Sequence, residues 1–319
     1  MARSILVPLD GSPLAEQALP LAEAIAKASR ARIRLAIVHQ LPLPPANRDS
    51  ANLFLTIELA TKKSESAYLR RIAKEIRGRP RSEVRTAFLE GPVGPALDRY
   101  VQEMGVDMIV MSTHGRGALD RLWLGSVADY LVRTANVPIL LVRPGGKTKR
   151  RPLAATPRQI LVPLDGSPLA EAALEPAVDL AKSLGVELFL VQVVTPVAPA
   201  TDPLFPTGFD QQFSDLWREQ AKDYLHDISE RLRDEGVRAT SATATGYSVH
   251  QALLDLAPEG SGVLIALATH GRGGLRRLMI GSVADKVIRG AHGPVLVVRP
   301  AKLPARPTPR PRKRARRRA

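Results

Sequence analysis

Residues 5–16 read ILVPLDGSPLAE, and residues 160–171 read the same twelve letters. A second pair of segments agrees almost as closely: 113–129 (THGRGALDRLWLGSVAD) and 269–285 (THGRGGLRRLMIGSVAD). The first pair is offset by 155 residues and the second by 156, so one residue is inserted between them. The turns 91–97 and 246–253 are the most economical place for it. Two remote signatures that recur in the same order make the chain two copies of one unit, and such a repeat has to be read before any local pattern. The copies cover 1–143 and 158–300, with a linker at 144–158 and a tail at 301–319. Whatever the fold is, the chain must be able to build it twice.

Each copy alternates short apolar runs with longer stretches of helical spacing. In the first, strands are expected at 4–9, 33–38, 84–89, 108–111 and 138–142, and helices at 13–29, 50–76, 95–104 and 126–135. In the second, strands are expected at 159–164, 187–194, 237–244, 263–267 and 294–298, and helices at 169–184, 210–235, 249–256 and 282–289. Pro20 and Pro176 fall inside the first helix of each copy and should bend it. Strands alternating with helices imply right-handed crossovers and a parallel sheet covered on both faces. The expected architecture is therefore α/β, as two tandem doubly wound domains of five parallel strands each.

Charge refines this picture. The net charge of +15 is concentrated in two stretches: the tail holds nine Lys/Arg and the linker five, and neither holds an acid. Subtracting both leaves +1 for the two domains, which are nearly neutral. The tail reads as a basic disordered segment suited to non-specific contact with polyanions, by charge and not by base readout. An apolar content of 45% allows packed cores, while no run approaches the ~18 apolar residues of a membrane span. The opening MARSILVPLDGS runs straight into a strand pattern, so no leader peptide is expected. The absence of cysteine excludes disulfides and thiolate chemistry, in keeping with a cytoplasmic location.

The chemistry-bearing stretch is the second repeated signature. Gly115 and Gly125 are separated by nine residues, as are Gly271 and Gly281, and each loop follows an apolar strand and leads into a helix beginning Gly-Ser. Glycines let main chain approach a ligand, and the first N–H groups of a helix have no internal partner, which together make a phosphate cradle. Ser126 with Asp129, and Ser282 with Asp285, equally fit a Ser-x-x-Asp capped helix start. The loop residues alone leave both readings open.

The opening ILVPLDGS, a valine at the end of the second strand and the Gly-x9-Gly-Ser-Val loop, in this order and twice over, resemble the universal stress proteins in their tandem form. The resemblance covers both domains and leaves out linker and tail. It implies an adenine nucleotide alpha hydrolase-like fold with strand order 3-2-1-4-5 and, in one branch, ATP binding through Gly-x2-Gly-x9-Gly-Ser/Thr. Here the first glycine of that motif is replaced by Ser112 and Ala268. In the implied order, strands one and four are neighbours whose connections leave to opposite sides, and ligands of open α/β sheets bind at such a switch point. By the resemblance, Gly115, Arg116, Gly125, Ser126 and Val127 would cradle phosphates. Asp10 would hold the ribose or a phosphate-bound Mg²⁺, and Pro8, Leu9 and Val38 would line the adenine. The second site would use Pro163, Leu164, Asp165, Val193, Ala268, Gly271, Arg272, Gly281, Ser282 and Val283, with Asp165 toward Mg²⁺.

Members of the family dimerise through the last strand. Since 138–142 and 294–298 are short apolar edges that need cover, the domains are expected to pair about a pseudo-two-fold axis, within one chain or between two. No Gly-x4-Gly-Lys-Ser/Thr loop and no Gly-x-Gly-x2-Gly fingerprint is present. His114 and His270 lie beside the loops with nothing to orient them as bases, and His39, His226, His250 and His292 are unmatched between copies. A nucleotide-binding module acting as a stress-response regulator is expected rather than an enzyme. A slow ATPase, or a polyanion-associated protein whose domains are scaffold, are its alternatives.

Overall fold

The computed structural model describes residues 2–40, 49–78, 83–113, 124–143, 156–196, 209–269 and 280–300. The first copy runs β1 (Ser4–Leu9), α1 (Pro13–Glu16), α2 (Leu19–Ser29), β2 (Arg32–His39), α3 (Asp49–Arg77), β3 (Val84–Glu90), α4 (Val93–Glu103), β4 (Met108–Ser112), α5 (Ser126–Thr134) and β5 (Ile139–Val142). The second runs β6 (Gln159–Pro163), α6 (Pro168–Glu171), α7 (Leu174–Leu184), β7 (Glu187–Val194), α8 (Phe209–Asp234), β8 (Ala239–Thr245), α9 (Val249–Asp255), β9 (Val263–Ala268), α10 (Ser282–Gly290) and β10 (Val295–Val298).

Two expectations need correction. The helix over 13–29 is not bent but interrupted: α1 stops after one turn and α2 starts afresh with Pro20 in its first turn, where a missing N–H costs nothing. The second copy is cut at the same place into α6 and α7, with Pro176 in the first turn of α7. The second correction concerns the sheet. The two copies do not form separate five-stranded sheets but one sheet of ten strands, ordered β3-β2-β1-β4-β5-β10-β9-β6-β7-β8. All neighbours are parallel except β5 and β10, which run antiparallel with Leu140 opposite Leu296. The physical reason is the edge. β5 and β10 are buried at every position, and an unpaired apolar strand would leave its main-chain groups without partners.

Two apolar layers cover the sheet, and each is continuous through both copies. Ile5, Val7 and Leu9 of β1 point into a layer with α1, α2 and α3, where Leu140 and Leu296 join the equivalent residues of the second copy. Leu6 points the other way, into a layer with α4 and α5 that also runs across the β5–β10 seam. α2 packs against α7 across that seam. Two arginines tie it further. Arg143, just past β5, donates from Nη1 to the Arg289 and Ala291 carbonyls at the end of α10, at 2.8 Å each. Its counterpart Arg299, just past β10, donates to the Thr134 carbonyl ending α5, also at 2.8 Å.

The inserted residue sits where the repeat offset put it. One residue, Pro92, separates Gly91 from the start of α4, whereas Tyr247 and Ser248 separate Gly246 from α9. Among the described residues, no helix is long and apolar enough to cross a membrane.

Candidate functional site

β1 lies between β2 and β4. The chain leaves β1 for α1 in one layer and leaves β4 for α5 in the other. The carboxyl ends of β1 and β4 therefore flank a crevice at the switch point, where open α/β sheets take their ligands. β6 and β9 do the same in the second copy.

On the β1 side, Asp10 precedes Gly11, which has φ of +82°, and its Oδ1 accepts the Ser12 N–H at 2.9 Å. Ser12 in turn caps α1, its Oγ accepting from Ala15 N at 3.2 Å. Asp165, Gly166 and Ser167 repeat this turn, with Asp165 Oδ1 also accepting from Ser167 Oγ at 2.6 Å. The Asp-Gly-Ser-Pro stretch is thus a real turn and helix start, and it fixes the aspartate at the strand end. Of the adenine-lining residues, strand alternation puts Pro8 on the α4–α5 face, and Val38 packs into that layer. Leu9 goes to the opposite face and is buried, as is Leu164, so both offer a ligand only main chain. In register with Val38 lies Leu89, and with Val193 lies Ala244. Sequence reading missed these two, although period-2 alternation along β3 and β8 puts them on the same face.

On the β4 side, Ser112 is buried at the strand end with Thr113 beyond it, and Ala268 and Thr269 take these places in the second copy. Gly115, Arg116, Gly271 and Arg272 lie outside the described residues. The N-cap of α5 is Gly125, with φ −58° and ψ 149°, and that of α10 is Gly281, with nearly the same angles. These angles are open to any residue, so neither glycine is needed for a positive φ. The Gly125 N–H is held by the Thr113 carbonyl at 2.9 Å, and the Gly281 N–H by Thr269 at 2.7 Å, which corrects the expectation that these two amides face a ligand. The donors at the helix start are instead those of Ser126 and Val127, and of Ser282 and Val283, the first residues of helices that carry no side-chain cap.

This closes one question the sequence left open. Ser126 and Ser282 are inside the helix, not capping it, and Asp129 and Asp285 are engaged with Arg133 and Arg289 one turn on, at 2.9 Å. The capped-helix reading of Ser-x-x-Asp therefore fails, and the glycine-capped starts keep their positive end toward the crevice. The chemistry of this donor set fits a phosphate group. Among the described residues, no group of three or more His, Asp or Glu side chains is placed to hold a metal ion.

Two further residues border the aspartates. Tyr68 of α3 and Tyr224 of α8 occupy matching places, and Tyr224 donates to Glu171 at 3.0 Å. Burial raises both phenol pKa values, with Glu16 and then Asp10 adding to it at Tyr68, and Glu171 and then Asp165 at Tyr224. His39, by contrast, has no second-copy equivalent. Its Nδ1 meets Glu65 at 2.8 Å, and it points away from the face that carries Val38.

A doubly wound α/β unit with a glycine-capped helix start at its switch point, built twice into one sheet, defines a tandem α/β protein with a crevice in each half. The model of the universal stress protein family matches residues 1–143 and 157–299, and the chain belongs to that family. A universal stress protein of Mycobacterium bovis is 31% identical over 72% of this chain and 74% of its own length. Another, of Mycobacterium tuberculosis, is 27% identical over 95% of this chain and 97% of its own, so the tandem organisation is shared end to end. Among solved structures, a universal stress protein from Archaeoglobus fulgidus has the same fold, with a TM-score of 0.62 at 20% identity over 94% of this chain and 97% of that one.

Proposed function

We propose that each half of the chain binds one ATP with Mg²⁺ at its switch point, and that occupancy regulates a partner in a stress response. The observation that carries this reading is the pairing, made twice, of a glycine-capped helix start without a side-chain cap and an aspartate fixed at the neighbouring strand end. Ser126 and Val127, and Ser282 and Val283, would offer main-chain donors to phosphate oxygens. Gly115, Arg116, Gly271 and Arg272 would complete the cradle. Pro8, Val38 and Leu89 would form an apolar floor for the base, with Pro163, Val193 and Ala244 in the second half. Asp10 and Asp165 would meet the ribose or a Mg²⁺ that offsets the repulsion between carboxylate and phosphate.

The function is that of a binding module, with slow hydrolysis as its enzymatic variant. The test is nucleotide stoichiometry. Calorimetry with ATP–Mg²⁺ should give two nucleotides per chain, falling to one in Gly125→Val and to one in Gly281→Val. The side chain acts there by bulk at the helix start, since the backbone angles tolerate it. No adenine nucleotide bound at millimolar ATP, or two still bound by either folded variant, would end the reading. The tail carries a second reading, because its nine basic residues occur without an acid. Salt-sensitive polyanion binding that disappears on deleting 301–319 would support it.

A further inference from the structure

The Thr113 carbonyl that holds Gly125 belongs to a longer circuit. Thr113 also donates its N–H to the Val142 carbonyl at the end of β5, at 2.9 Å. The next residue, Arg143, crosses the seam to the Arg289 and Ala291 carbonyls that end α10. α10 begins at Gly281, whose N–H is held by Thr269, and Thr269 donates to the Val298 carbonyl at 2.8 Å. Arg299 follows Val298 and crosses back to the Thr134 carbonyl that ends α5. α5 begins at Gly125, and the ring is closed.

We infer that this ring couples the two crevices, so that filling one changes the affinity of the other; the inference rests on the nucleotide reading above. Each of α5 and α10 spans nine residues, or about 13 Å of stiff rod. Each has one end at a proposed phosphate site and the other held by an arginine of the opposite half. The last carbonyls of a helix lack intrahelical partners and favour a cation, so these arginines are anchored where a helix holds them best. Thr113 and Thr269 are buried, which leaves the main-chain links little room to yield independently. Charges also meet across the axis. Arg133 pairs with Asp129 and is attracted further by Asp285 of the opposite half, and Arg289 pairs with Asp285 and is attracted further by Asp129, while the two arginines repel each other. A displacement of α5 at its ligand end is therefore felt at Arg299, at Val298 and at the Thr269 clasp of the second site.

Amide hydrogen exchange on the full chain tests this, first without nucleotide. Arg299→Ala should speed exchange of the Gly125 N–H, at the far end of α5, by about tenfold, within the roughly 5–150-fold of known couplings. Arg143→Ala should do the same to the Gly281 N–H. Faster exchange confined to 134–135 or to 290–291 overturns the coupling. If an alanine variant loosens the whole sheet, seen as faster exchange across β1, the comparison is made with Arg299→Lys and Arg143→Lys, which keep charge with a different reach. The second arm uses ATP–Mg²⁺ with Gly281→Val, in which only the first site fills. Exchange of the Thr269 N–H should change about tenfold, and that response should vanish when Arg143→Ala and Arg299→Ala are added. A response at Thr113 alone refutes coupling and leaves nucleotide binding standing. No response at either clasp while calorimetry finds the first site filled overturns the coupling; if calorimetry finds no nucleotide bound, the nucleotide reading fails and the nucleotide-free comparison decides the coupling.

Discussion

Leu140 and Leu296 face each other across the β5–β10 seam, and both are fully buried in a layer that runs through both halves. Truncating a buried leucine to alanine costs about 2–5 kcal/mol, and about 3 kcal/mol suits a site boxed in by neighbouring strands. How far this moves the unfolding midpoint depends on the size of the cooperative unit. With about 2.1 cal/mol/K of unfolding entropy per residue, a unit of roughly 280 residues carries about 0.6 kcal/mol/K, and the loss lowers the midpoint by about 5 °C. If the halves unfold separately, each carries about 0.3 kcal/mol/K, and Leu140→Ala lowers one midpoint by about 10 °C and leaves the other in place. The shared layers predict the first outcome. Scanning calorimetry of the full chain should show one transition, displaced by a similar amount in Leu140→Ala and in Leu296→Ala. Because the side chains are partners, the double variant should fall short of the summed losses by about 0.5 kcal/mol or more. Two transitions of which only one moves would refute the argument that the seam makes one core.

Gly94 of α4 is there for space: a Cβ added to it would come within 2.4 Å of the Tyr130 ring on α5. Gly94→Ala should cost about 1–3 kcal/mol in urea unfolding, and adding Tyr130→Ala should recover much of that; no loss in the single variant would contradict the packing. At alkaline pH, Tyr68 and Tyr224 should keep their protons well beyond the ordinary phenol range, because burial disfavours the phenolate. The folded chain then holds protons that the unfolded chain gives up near pH 10, so stability should fall as pH rises above about 10. Absorbance titration in which Tyr68 and Tyr224 ionise near pH 10, read by difference against Tyr68→Phe and Tyr224→Phe, would count against it.

Much of the fold was legible because its signals are local and repeated. Runs such as ILV in β1 and LLV in β5 are apolar at every position, as strands covered on both faces must be. The split of the first helix was less so, since a proline bends a helix or begins one depending on where the preceding turn stops. At the crevice, the opposite orientations of Pro8 and Leu9 follow from strand alternation and could have been read. The capture of Gly125 N–H by Thr113 could not, because a bond between main-chain groups leaves no trace in side-chain identity. Arg143 and Arg299 are an intermediate case. Their matched offset of 156 is plain, but each finds its acceptors in the other half, and the seam had to be known first.

The antiparallel contact between β5 and β10 has a consequence for how the molecule behaves on dilution. Two separate chains joined along such an edge come apart when their concentration falls below the dissociation constant, and each can exchange its neighbour for any relative with a similar edge. Here both edges lie on one chain, so each meets the other at the fixed effective concentration that the connecting residues impose. The pairing becomes part of folding and loses its dependence on abundance. Two crevices are always made together, in a fixed ratio and orientation, and the seam is closed to exchange with related proteins.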